Sequence, residues 1–320
     1  MQALFQAPTV AGLAALVETG SADVAESLRT ILPLRPTGHG TPVFAVHPAS
    51  GVAWKFSSFV SRLATTRPIF GVQMPGIAPD QPEPPTAGSL AELLTEYVTA
   101  IRSEQAHGPY LITGYSFGGR LAHHIAARLQ EDGEDVALLA VLDAYPAEGS
   151  AFDGVADTDD MWRGFLDANG VTPPEGDLDG ERVLALLAEA GNPLADVPGE
   201  VVDRMVRRFR RLGELLDEAP IPVVDGDLHV FAATEDVPAN RPAPEAWARF
   251  VTGAVTSSPV GVRHQDMLAD RALNDIAPLL DQLLVATDQP TDSLGSNRSG
   301  AGSEDLREAT TAADLEEDRP

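Results

Sequence analysis

The sequence predicts an α/β fold in which a mostly parallel sheet carries helices on both faces. Three observations support this. From Ile31 onward, short apolar runs alternate with amphipathic stretches, the pattern of strands joined by helical crossovers. The stretch YLITGYSFGGRLAHHIAARLQ, beginning at Tyr110, reads as a buried strand, a sharp turn and a helix with apolar residues at Leu121, Ile125, Ala126 and Leu129. Residues 136–142 form a second buried apolar run that ends on Asp143.

Taken in order, residues 2–18 have an apolar stripe of Val10, Leu13, Ala14, Leu16 and Val17 behind a Pro8-Thr9 helix start, and 1–18 read as the last helix of an upstream domain or else as an amphipathic helix packing on its own domain. Residues 19–30 are small and polar, as a linker would be. Strands are expected at 31–35, 42–46 and 69–73, with helices at 54–63 and 90–102. The proline-rich segment 74–88 is expected as a surface loop. After Asp143 the alternation stops. Residues 144–226 hold helical patterns near 159–168, 181–190 and 200–218, and their position suggests a helical lid. A strand at 228–233, a helix around 243–251, a short strand at 260–263 and a helix from about 271 to 285 complete the expected domain, 31–285. Residues 286–320 lack aromatics and periodicity and are expected to be a disordered acidic tail.

Composition excludes several chemistries. A chain of 320 residues without cysteine can have no disulfide, thiolate nucleophile or zinc–thiolate site. A net charge of −26, with Lys55 the only lysine, argues against nucleic acid or an anionic membrane as partner. No apolar run approaches a membrane span and no secretory signal is evident, so a cytoplasmic location is expected.

The turn at Ser116 is G-x-S-x-G between strand and helix, the context of a nucleophile elbow. A serine hydroxyl is a weak nucleophile until a base takes its proton, and the base needs an orienting carboxylate. In the α/β-hydrolase arrangement the chain order is Ser, acid, His. Only His229 and His264 lie beyond Asp143. His229 falls within a strand, whereas His264 opens a loop, so His264 is the expected base. Asp143 and Asp236 each follow a strand end and either can supply the carboxylate. The oxyanion needs two backbone donors, expected from Phe117 at the helix N-terminus and from Ala49 in the loop HPASG. His47 is expected to hold that loop, and His123 and His124 to be packing or surface residues. No cofactor-binding or metal site is expected.

LPLRPTGHGTPVFAVHPASG, GYSFGG, LLAVLDAYP and VRHQDML together resemble the C-terminal thioesterase domain of nonribosomal peptide synthetases, over roughly residues 31–285. The resemblance implies the α/β-hydrolase fold and makes Asp143 the acid. It implies release of a peptidyl chain from a phosphopantetheine thioester through a peptidyl-O-serine, by hydrolysis or macrocyclisation. The substrate would arrive on the phosphopantetheine of an upstream peptidyl carrier domain, whose closing helix LFQAPTVAGLAALV resembles. The carrier's own phosphopantetheine-bearing serine motif is missing. HPASGVAWKFSSF is similar to the siderophore-synthetase branch, and 144–226 is similar to, but longer than, the family's lid. The alternatives are a stand-alone editing thioesterase, a small-ester hydrolase, or a silent binding module of the same fold.

Overall fold

A computed structural model describes residues 24–81, 87–146 and 158–288. The upstream helix expected at 1–18, the start of the linker and the tail from 289 lie outside the described residues.

Seven strands make one sheet: β1 (Ile31–Arg35), β2 (Val43–Val46), β3 (Ile69–Val72), β4 (Tyr110–Tyr115), β5 (Val136–Leu142), β6 (Leu228–Ala233) and β7 (Val255–Val260). Their spatial order is β1-β3-β2-β4-β5-β6-β7, parallel except for β1, which runs antiparallel to β3. The helices are α1 (Val24–Ser27), α2 (Ser57–Arg62), α3 (Leu90–Glu104), α4 (Phe117–Glu131), α5 (Thr158–Ala168), α6 (Gly180–Glu189), α7 (Gly199–Glu218) and α8 (Asp270–Ala286).

The period-2 alternation of strand side chains divides the core in two. Val43 and Ala45 of β2 pack with Leu111, Ala140 and Phe231 in the cluster that α2 and α8 cover. Phe44 and Val46 point the other way, into Ile112, Val141 and Val230, under α3 and α4. Both faces of β2 and β4 are buried, which is why these strands read as continuous apolar runs rather than alternating ones. The chain adds β3 and β1 on one side of β2 and β4 to β7 on the other. The strand order therefore reverses between β2 and β4, and in open parallel sheets ligands bind in the crevice at the carboxyl ends of such a pair.

The segment expected to be a lid contains α5, α6 and α7. Phe165, Leu166, Val183, Leu187, Val201, Val202 and Met205 join the α2/α8 cluster, whereas Leu212, Leu215 and Leu216 at the other end of α7 join the α3/α4 cluster. One 20-residue helix thus spans both cores. Its arginines fix it from the side: Arg204 donates to the carbonyls of Gly76 and Ala78, Arg208 pairs with Glu96 of α3, and Arg211 donates to Ala87 O.

Four expectations need correction. Residues 24–30 are not a free linker: Leu28 is buried, and Ser27 O accepts from Trp54 Nε1 and Gln73 Nε2, with Arg29 O accepting from Gln73 as well. Small polar composition hid a segment held by one core leucine and by its backbone carbonyls. The proline-rich loop lacks regular structure, but Met74, Ile77 and Ala78 are buried, because α7 lies over them. The expected helix at 243–251 is a 3-10 turn, Pro244–Arg249, anchored by buried Trp247 donating to Ala144 O. The last strand is Val255–Val260, not 260–263. It is an edge strand with polar Thr256, Ser257 and Ser258, so it lacks the apolar run that marked its neighbours.

Candidate active site

Ser116 follows β4 directly and is the residue before α4, with φ 57° and ψ −125°. Such a conformation costs on the order of 1–3 kcal/mol and persists only where the surroundings impose it. They do so here. Ser116 N–H donates to Leu142 O, and Gly119 N–H donates to Ser116 O. A Cβ on Gly114 would collide with Gly118 O, and one on Gly118 would collide with His47 O and Val46 O. The glycines therefore let the elbow close on itself and let α4 start against the loop after β2. Gly118→Ala is expected to lose about 3 kcal/mol, since backbone cannot give way as a side chain can. A thermal melt would read this as a fall of roughly 6–12 °C.

The structure brings Ser116, His264 and Asp143 together. Ser116 Oγ lies 2.8 Å from His264 Nε2, and His264 Nδ1 lies 2.6 Å from Asp143 Oδ2. With Nδ1–H donating to the carboxylate, Nε2 is left as an acceptor for the serine proton. His264 sits in the 3-10 turn His264–Asp266 beyond β7, and Tyr115 OH donates to its carbonyl at 2.8 Å. Asp143 caps β5 with φ 45°, its own N–H donating to Phe231 O. Burial opposes its charge, but hydrogen bonds from His264, Tyr145 OH and Ala233 N–H outweigh it, so the carboxyl is held below its usual range. The competing carboxylate, Asp236, is exposed in the loop after β6, and no hydrogen bond joins it to His264.

The segments that carry the expected oxyanion donors touch one another. Gly118 abuts His47 O, so the HPASG loop and the elbow are in contact. Among the described residues, neither the Ala49 nor the Phe117 amide donates to a backbone carbonyl. Phe117 N–H stands at the positive end of the 15-residue α4. His47 does hold the loop: its Nδ1–H donates to Pro48 O at 2.7 Å, leaving Nε2 to accept from Tyr97 OH at 2.7 Å.

His123 and His124 are buried on α4; His123 donates to Phe250 O and stacks on Trp247. His229 is held on the sheet by Thr256 and Ser258. Burial pushes His47 down to about 4, against the hydrogen bond to Pro48 O, and His123 likewise to about 4. Burial, with His123 and Arg120 nearby, pushes His124 down to about 3. All three are neutral in the fold, while the unfolded chain takes up protons below about pH 6.5. Stability must then rise with pH between about 4 and 6.5. Denaturant melts at pH 5 are expected to lose on the order of 1–2 kcal/mol per histidine relative to pH 7. Replacing His124 by leucine should remove its share of that dependence and leave the shares of His47 and His123.

Among the described residues, no cluster of three or more His, Asp or Glu is placed to hold a metal, and no helix is long and apolar enough to cross a membrane. Tyr145 and Arg241, both touching Asp143, were not singled out in the sequence. Tyr145 lies two residues beyond the acid and could have been noticed. Arg241 is 98 residues away in a polar loop and carries no such signal.

A parallel sheet of this order, with a strained serine between β4 and α4 facing a histidine and a carboxylate, defines a serine hydrolase of the α/β-hydrolase fold. Residues 41–283 match the model of the thioesterase domain, and the chain belongs to that family; it is a thioesterase of the nonribosomal-peptide-synthetase type. It is 32% identical over 281 residues to the dimodular nonribosomal peptide synthase of Bacillus subtilis (strain 168), covering 87% of this chain and 12% of that protein. It is 32% identical over 279 residues to enterobactin synthase component F of Escherichia coli O157:H7, covering 86% and 20%. Holo-AB3403, a four-domain nonribosomal peptide synthetase whose structure is solved with AMP and glycine, superposes with a TM-score of 0.67 at 19% identity, over 86% of this chain and 21% of that one. The chain thus spans a fifth or less of the length of these curated relatives.

Proposed function

We propose that the protein releases a peptidyl chain from the phosphopantetheine thioester of a carrier domain, the upstream peptidyl carrier being the partner. The observation that carries this reading is the hydrogen-bonded chain from Ser116 Oγ through His264 to Asp143, in a thioesterase domain. Ser116 Oγ attacks the thioester carbonyl as His264 Nε2 takes its proton. The amides of Phe117 and Ala49 receive the oxyanion. The carbon–sulfur bond then breaks, and the imidazolium returns the proton to the departing thiol, leaving a peptidyl-O-serine. His264 next deprotonates a second nucleophile. Water gives the linear acid; an amine or hydroxyl of the peptide itself gives a macrolactam or macrolactone. The helices α5 to α7 over the site would decide between them by admitting or excluding water. The domain needs no cofactor of its own in this scheme, since the phosphopantetheine belongs to the carrier.

Mass spectrometry of protein and product after mixing with peptidyl thioester mimics tests the reading. A transient adduct on the wild type that is absent from Ser116→Ala is expected. A product lighter than the free acid by one water means cyclisation, and the free acid means hydrolysis. Turnover of simple esters with no adduct or release from any thioester in the panel would favour a small-ester hydrolase instead.

A further inference from the structure

The carboxylate of Asp143 is used unequally. Its Oδ2 takes only the His264 Nδ1–H, at 2.6 Å. Its Oδ1 takes three donors: Tyr145 OH at 2.7 Å, Ala233 N–H at 3.0 Å and Arg241 Nη1 at 3.1 Å. Arg241 is itself fixed, since the same Nη1 donates to Ala233 O at 2.7 Å and the guanidinium lies 4.9 Å from the centre of the Tyr145 ring. The loop that carries it, residues 234–243, is otherwise mostly exposed and includes Asp236. Asp143, Ala233, Arg241 and Tyr145 therefore close a ring around one oxygen of the acid.

We propose that Arg241 is a positioning residue for the relay: it fixes which oxygen of Asp143 meets His264, and its cation weakens the pull of that carboxylate on the imidazolium. A lone buried carboxylate can rotate between oxygens and stabilises a protonated histidine with its full charge. With Arg241 in place the carboxylate cannot turn without breaking three hydrogen bonds, and the cation at Oδ1 offsets part of the carboxylate's charge. The other charges near the pair are Asp266 and Asp167 beside Tyr115, Glu245 beside Tyr145, and Arg263, which adjoins His264 in the chain and pairs with Asp266 at 2.8 Å. Arg241 is the cation in direct contact with Asp143. It stands at 19% side-chain exposure, enough burial for its charge to be felt.

This inference rests on the Ser116–His264–Asp143 reading, and its test keeps the two apart. The probe is a p-nitrophenyl ester, with kcat and KM followed from pH 5 to 9 in wild type, Arg241→Met, Arg241→Lys, Tyr145→Phe and Ser116→Ala. Arg241→Met is expected to lose about tenfold in kcat with little change in KM, and the acid limb of its profile should move up by about half a unit or more. Arg241→Lys should restore the limb but only part of the rate, because an ammonium lacks the planar fork that bridges Asp143 and Ala233. Tyr145→Phe should lower kcat without moving the limb, since it removes an orienting bond and no charge. An acid limb unmoved in Arg241→Met, with Ser116→Ala inactive, overturns the inference and leaves the relay standing. Turnover surviving in Ser116→Ala overturns the relay itself.

Discussion

Ser116→Ala is expected to lower kcat/KM for a thioester by roughly 10⁴ to 10⁶ and to abolish labelling by a fluorophosphonate. The loss should lie in chemistry rather than in folding. The hydroxyl makes a 2.8 Å hydrogen bond to His264, whose side chain is about half exposed, so removing it leaves no buried polar group unpaired. Alanine also fits the φ 57° turn no worse than serine, because the strain is set by Cβ and not by Oγ. The melting temperature should accordingly stay within about 2 °C of the wild type. Retention of more than a tenth of the turnover would end the serine mechanism.

Asp143→Asn is expected to be nearly as damaging, about 10⁴ in acylation rate, while Asp236→Asn should stay within about twofold. The direction follows from the donors. Three of them, from Tyr145, Ala233 and Arg241, demand an acceptor at the Oδ1 position, so the asparagine carbonyl oxygen must sit there. Its NH₂ then faces His264 Nδ1 and donates to it. That forces the proton onto Nε2, and the ring can no longer receive the hydrogen of Ser116. Asp236 has no hydrogen bond to the histidine and lies exposed in solvent. A larger loss for Asp236→Asn than for Asp143→Asn would reverse the assignment of the acid. Rapid-quench measurement of acyl-enzyme formation on both variants makes the comparison.

The parts of the protein legible from the chain are those whose physics is local. Residues of β4 and β5 are buried on both faces, so an unbroken apolar run announces each. The elbow is legible because a serine between strand and helix needs Gly114 and Gly118 within two residues of it, and both are written beside it. The order serine, acid, histidine is that of the α/β-hydrolase arrangement, and it left two histidines and two carboxylates as candidates. Edge strand β7 lacks an apolar run because its exposed positions are polar, and residues 24–30 lack one because a single leucine, Leu28, and backbone carbonyls hold them. Composition reports neither.

Only the tertiary structure separates Asp143 from Asp236 by geometry. Both follow parallel strands, and chain position ranks them weakly; the 2.6 Å contact to His264 separates them. It alone brought Arg241 and Tyr145 to the same carboxylate, because the contact between Arg241 and Asp143 joins residues 98 positions apart through the pairing of β5 with β6. It alone showed that α7 is tied to the loop at 76–78 and to Glu96 by its own arginines. The physical reason is common to all three: a hydrogen bond depends on tenths of an ångström and on direction, whereas a sequence pattern records only which face of an element is dry.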